Sequence, residues 1–181
     1  MAKKAVFGIA KSEPQAITIA DNLKAAGFSE NDISVLFPDK KGSKDFAHEQ
    51  HTKAPEGAAT GAGSGALLGG ALGWMVGIGA LAIPGLGAFI AAGPIMAALA
   101  GAAGGAAAGG LTGALIGMGI PEYEAKRYEG KVRDGNILLS VHTEDSKQVD
   151  RAKKIFEAGG AVDISYTGEA SVPKEHRPSA H

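Results

Sequence analysis

Glycine recurs at every fourth position in two runs of this chain: Gly57, Gly61, Gly65, Gly69, Gly73 and Gly77, then Gly101, Gly105, Gly109, Gly113 and Gly117. Both runs lie within residues 57–121, which carry no charged side chain. In a soluble helix each glycine costs about 1 kcal/mol relative to alanine. In lipid, helices associate by van der Waals contact, and small residues four apart let two backbones approach closely. The pattern predicts helix-packing stripes in an apolar surrounding. It nominates these glycines as the residues of oligomerisation.

The block is long enough for two spans of about 20 residues each. Pro84-Gly85 and Gly93-Pro94 divide it. The division predicts one helix over Ala58–Ile83 and a second over Pro94–Met118, with Gly85–Gly93 as a short helix or loop at the far interface. Lys40, Lys41, Lys44 and Lys53 precede the block, and Lys126, Arg127, Lys131 and Arg133 follow it. Positive charge at both ends predicts a transmembrane helical hairpin with both termini on the cytoplasmic side of a bacterial inner membrane. A four-residue stripe drifts about 40° per step around a helix, so one straight partner cannot meet a whole run. The expectation is a homo-oligomer, ring-like in its simplest form. The competing expectation is a soluble protein that buries the hairpin between subunits.

The flanking sequences repeat one another. Residues 4–37 and 135–167 each read as a βαβ unit. Ala20-Asp-Asn-Leu-Lys-Ala-Ala-Gly-Phe aligns with Ala152-Lys-Lys-Ile-Phe-Glu-Ala-Gly-Gly, and Asp32-Ile-Ser-Val with Asp163-Ile-Ser-Tyr. In the first copy Ser12 and Gln15 form a capping box, Ile17, Ala20 and Leu23 make the buried stripe, and Ile33, Val35 and Phe37 alternate along the next strand. In the second, Val149, Ala152, Ile155 and Phe156 make the stripe, and Gly159 ends the helix. Two such units predict an α+β, ferredoxin-like split βαβ sandwich interrupted by the glycine-zipper hairpin. The predicted organisation is 1–38 for the first half, 39–56 for a polar linker, 57–120 for the hairpin, 121–167 for a connecting helix and the second half, and 168–181 for a disordered tail. Tyr123, Ala125, Tyr128 and Val132 are the expected anchors of the connecting helix.

The first βαβ segment, the stretch Gly119-Ile-Pro-Glu-Tyr-Glu-Ala-Lys-Arg-Tyr-Glu-Gly before Gly135-Asn-Ile-Leu-Leu-Ser-Val, and Ala161-Val-Asp-Ile resemble the heat-induced general-stress domain of YflT-like proteins. With its glycine-rich insert the arrangement is similar to bacterial low-temperature-induced and general stress membrane proteins. The resemblance implies stress induction and an α/β fold, and it implies no catalytic residues. The glycine stripes also resemble those of glycine-zipper envelope proteins that form rings around lipid or other membrane proteins.

Little else points to chemistry. Eighteen basic residues against 19 acidic leave no field that would gather nucleic acid. The absence of cysteine removes disulfides, thiolate metal sites and cysteine nucleophiles. His48 and His51, with Glu49 between them, have the spacing of two metal ligands but no third. His142 ends a strand and reads as a surface residue. Gly77-Ile-Gly79 and Gly85-Leu-Gly87 lack the strand and lysine of a phosphate loop. Asp32 and Asp163 occupy equivalent strand starts, which is a role in the fold, and with Glu30 they make no acid pair. No catalytic, cofactor or metal residues are expected. The sequence predicts a non-enzymatic, stress-associated membrane scaffold whose partners are itself and membrane lipids. An oligomeric pore and a membrane-anchored regulatory ligand-binding module are the alternatives.

Overall fold

The computed structural model describes residues 4–38, 79–83, 86–101 and 110–167. The chain order is β1 (Lys4–Ala10), α1 (Glu13–Ala25), a 3-10 turn (Glu30–Asp32), β2 (Ile33–Pro38), β3 (Gly79–Ile83) and β4 (Gly87–Ala92). Then come α2 (Pro94–Gly101), α3 (Gly110–Gly117), α4 (Glu122–Arg133), β5 (Ile137–Thr143), α5 (Ser146–Ala158) and β6 (Val162–Thr167). The fold is α+β. Its six strands form one antiparallel sheet in the order β3-β4-β2-β5-β1-β6.

Strands from the two ends of the chain interleave at the centre of the sheet. β1 runs antiparallel to β5 with Lys4 opposite Thr143 and Ala10 opposite Ile137. β2 lies along the other side of β5, with Val35 opposite Leu139. These strands are apolar at both parities, as strands covered on two faces must be. Val6, Ile33, Val35, Leu139 and Val141 face one core with α1 and α5. Phe7, Ile9, Leu36, Leu138 and Phe89 face a second core with α2, α3 and α4.

Local signals explain the helices. Ser12 Oγ accepts from Gln15 N at 3.4 Å, and Gln15 Oε1 accepts from Lys11 N at 2.8 Å, closing the start of α1. Gln15 Nε2 also donates to Gly159 O at 2.9 Å, tying α1 to the end of α5. Asp145 caps α5 by accepting from Lys147 N at 2.9 Å. On α4 the buried stripe is Ala125, Tyr128 and Val132, at helical spacing. Tyr123 lies off that stripe and is 70% exposed, so it is not an anchor of the helix.

The first predicted span is overturned at its described end, whereas the described parts of the second are helical. Gly79–Ile83, assigned to the end of the first span, is β3, and Gly87–Ala92, expected as a short helix or loop, is β4. The two strands pair with each other and β4 pairs with β2, Val35 lying opposite Ala92. Pro84-Gly85 has the composition of a turn centre, and Leu86 N donates to Ile83 O at 3.0 Å. Within Pro94–Met118 the described helices are Pro94–Gly101 and Gly110–Gly117, and residues 102–109 lie outside the described residues. Among the described residues no helix is long and apolar enough to cross a membrane. What draws the segment onto the protein is the second face of the sheet, which Ile95, Leu99, Leu111 and Leu115 cover.

The seat of α2 is specific. Ile95 N donates to Ser34 Oγ at 3.2 Å in the interior. Gly93 has φ +79°, and a Cβ there would stand 2.1 Å from Ile33 O. Only glycine permits the chain to turn from β4 into α2 against β2. The linker 39–56 and the tail 168–181 lie outside the described residues, as does the first glycine run.

Candidate assembly surface

α3 buries one side and presents the other. Leu111, Ala114 and Leu115 are buried against the sheet and α4. Burial of each leucine contributes about 1.5–3 kcal/mol. A polar clamp fixes the rotation of the helix. Thr112 N donates to Glu129 Oε2 at 3.0 Å, and Thr112 Oγ1 donates to the same oxygen. Glu129 Oε1 accepts from Arg133 Nη2 at 3.0 Å. With these contacts set, Gly113 and Gly117 fall on the side away from the core.

A Cβ built on either glycine meets nothing within 4 Å among the described residues. Ile116, between them on the same side, is 44% exposed. Tyr123 stands across the turn that joins α3 to α4. Ile116 and Tyr123 are two of the three large hydrophobic side chains that are exposed among the described residues. The third, Tyr166, lies under the Lys153 ammonium at 3.5 Å from the ring centre. Acids and bases follow at once on α4: Glu122 pairs with Lys126 at 2.7 Å, which holds the carboxyl below and the ammonium above their usual values.

The predicted glycine stripes are therefore placed in part. Gly113 and Gly117 lie on α3 as an open small-residue face, and Gly101 is the last residue of α2. Gly57, Gly61, Gly65, Gly69, Gly73, Gly77, Gly105 and Gly109 lie outside the described residues, as do His48 and His51. His142 is half-buried on β5, its ring 6.4 Å from that of Phe7 and edge-on to it. Among the described residues no group of three or more metal-binding side chains comes together.

A second polar cluster was not visible in the sequence. Asp163 has φ +51°, the only positive φ at a non-glycine residue among those described. It sits where β6 bulges against β1: Phe7 faces Ser165 and Ile9 faces Val162, so two residues of β6 oppose Gly8. The bulge turns the carboxylate toward Arg127 at 3.7 Å and Lys131 at 3.9 Å. Tyr128 Oη donates to Asp163 O at 2.5 Å and lies 2.6 Å from Ser165 Oγ. Burial pushes the Tyr128 phenol up to about 12, although the Ser165 hydroxyl opposes the shift. Asp163 and Asp32 align in sequence, but only Asp163 takes this backbone. The cluster is a structural tie between α4 and the sheet edge. It holds no nucleophile beside a base.

No family model, curated protein or solved structure matches the chain.

Proposed function

We propose that this chain is a non-enzymatic assembly protein of the bacterial stress response, in which a ferredoxin-like domain presents a glycine-rich insert to further copies of itself at a membrane surface. The strand order β2-β5-β1-β6, with α1 and α5 on one face, supports the ferredoxin-like reading, since it is the order two interleaved βαβ units produce. β3 and β4 extend that sheet, and α2 to α4 cover its second face. The stress role rests on the resemblance of the two βαβ halves to the general-stress domain.

One observation carries the assembly reading. Among the described residues the α3 face of Gly113, Ile116 and Gly117 is uncharged and open, while nearly all the other large apolar groups described are buried. Small residues four apart admit a close helix partner.

The test is the variant Gly113→Leu/Gly117→Leu. Among the described residues a Cβ at either position meets nothing within 4 Å, and leucine is the better helix former. Circular dichroism should be unchanged, while the particle mass in mild detergent falls and flotation with liposomes persists. An unchanged mass would remove the α3 face from the assembly.

A further inference from the structure

The two edges of the sheet are built differently. β6, at one edge, carries the Asp163 bulge, and Lys153 covers Tyr166. A bulge and charge on an edge strand prevent another chain from adding to it. β3, at the other edge, is Gly79-Ala-Leu-Ala-Ile83. It has no charge, no proline and no register shift against β4. Among the described residues β4 is its one strand neighbour. Alternate backbone N–H and C=O groups of β3 thus point away from β4, and among the described residues no strand lies beside them.

We infer that β3 is a docking edge for the β3 strand of a second copy of this chain, joined antiparallel about a two-fold axis into one continuous sheet. Charge selects this occupant. The copy's own strand comes from a block with no charged residue between 57 and 121, so it brings no charge into the seam. Symmetry selects it as well. An antiparallel seam is self-complementary and closes at two subunits. Joining β3 to β6 of another copy would be head-to-tail and would grow without end. The bulge and Asp163 close that route. The seam lies on a different element from the α3 face and does not depend on it.

The chain has no cysteine, so single cysteines report contact without a background. Each residue from Gly79 to Ile83 is changed to cysteine in turn in the full chain, with Tyr166→Cys on the opposite edge as control. Residues facing each other across a seam have Cα atoms about 4.5–5.5 Å apart, within disulfide range. Oxidation should give covalent dimers that peak at one position of β3, fall away on both sides, and do not form at 166. Ala80→Lys/Ala82→Lys places charge on the edge and should halve the particle mass, with Gly113→Leu/Gly117→Leu leaving the cysteine pattern intact. Should the lysine variant not fold, the cysteine scan alone decides. Uniform or absent cross-linking along β3, or an 18.2 kDa particle for the unaltered chain, would overturn the inference.

Discussion

Gly159 stands so close to Ile19 that a Cβ on the glycine would lie 2.3 Å from Ile19 Cγ1. This approach lets α5 end directly against α1, where Gln15 also reaches Gly159 O. Ile19 is fully buried. Gly159→Ala should destabilise the protein by about 1–3 kcal/mol, as overpacking of a filled core does. A Cβ on Gly130, within α4, would meet nothing within 4 Å among the described residues. Gly130→Ala should stabilise by about 0.5–1 kcal/mol. Urea denaturation of both variants measures the contrast.

Two serines face the same core from neighbouring strands, Ser34 opposite Ser140 in register. Ser34 Oγ accepts the Ile95 N–H, whereas Ser140 Oγ is buried without a hydrogen-bond partner among the described residues. Ser34→Ala leaves a buried donor unsatisfied and should cost about 1–3 kcal/mol. Ser140→Ala removes an unpaired hydroxyl and should be neutral or stabilising by up to about 1 kcal/mol. Equal losses from the two changes would contradict the assignment.

At Asp163 backbone and charge can be separated. A left-handed conformation costs an ordinary L-residue about 1–2 kcal/mol and glycine nothing. The part-exposed ion pairs to Arg127 and Lys131 contribute under about 1 kcal/mol. Asp163→Gly should therefore be tolerated, and Asp163→Ala should be the less stable by about 1 kcal/mol. Thermal melts at two salt concentrations would show a small salt dependence in the parent that both variants lose.

Alkaline pH should expose the burial of Tyr128. Its phenol titrates near 12 in the fold and near 10 in an unfolded chain. The folded state holds its proton more tightly, so this contribution to stability is complete below about pH 10 and disappears as pH rises toward 12. Tyr128→Phe should flatten the loss of stability over that window. Tyrosinate absorbance should also lose its latest-titrating component. Tyr123, raised by its hydrogen bond to Glu124, remains in the variant as an internal reference.

The helices of the two βαβ units were legible because their signals are local: Ser12 with Gln15, and the stripes ending in Leu23 and Phe156. The second core was harder to read, though its trace is present. Phe7, Ile9 and Leu138 are apolar at the parity that a one-sided sheet would leave polar. That pattern implies a second covering layer, and the uncharged block supplies part of it. Gly79–Ile83 and Gly87–Ala92 were misread because composition states that a segment avoids water but not whether lipid or a sheet receives it. Leu111 and Leu115 share one core with Phe7 and Tyr128 through tertiary packing that no local period encodes. The orientation of Gly113 and Gly117 was equally hidden, since it depends on Thr112 finding Glu129, 17 residues away.

The register that sets Lys4 opposite Thr143 also imposes a timetable on synthesis. A ribosome adds roughly 5–20 residues per second. β1 and β2 therefore emerge on the order of ten seconds before β5, the strand that lies between them. During that interval Phe7 and Ile9 have no sheet to enter, since both neighbours of β1, β5 and β6, are still to be made. The nascent chain should bind general chaperones until residue 143 clears the exit tunnel, and ribosome-bound chains truncated on either side of β5 should differ sharply in protease resistance.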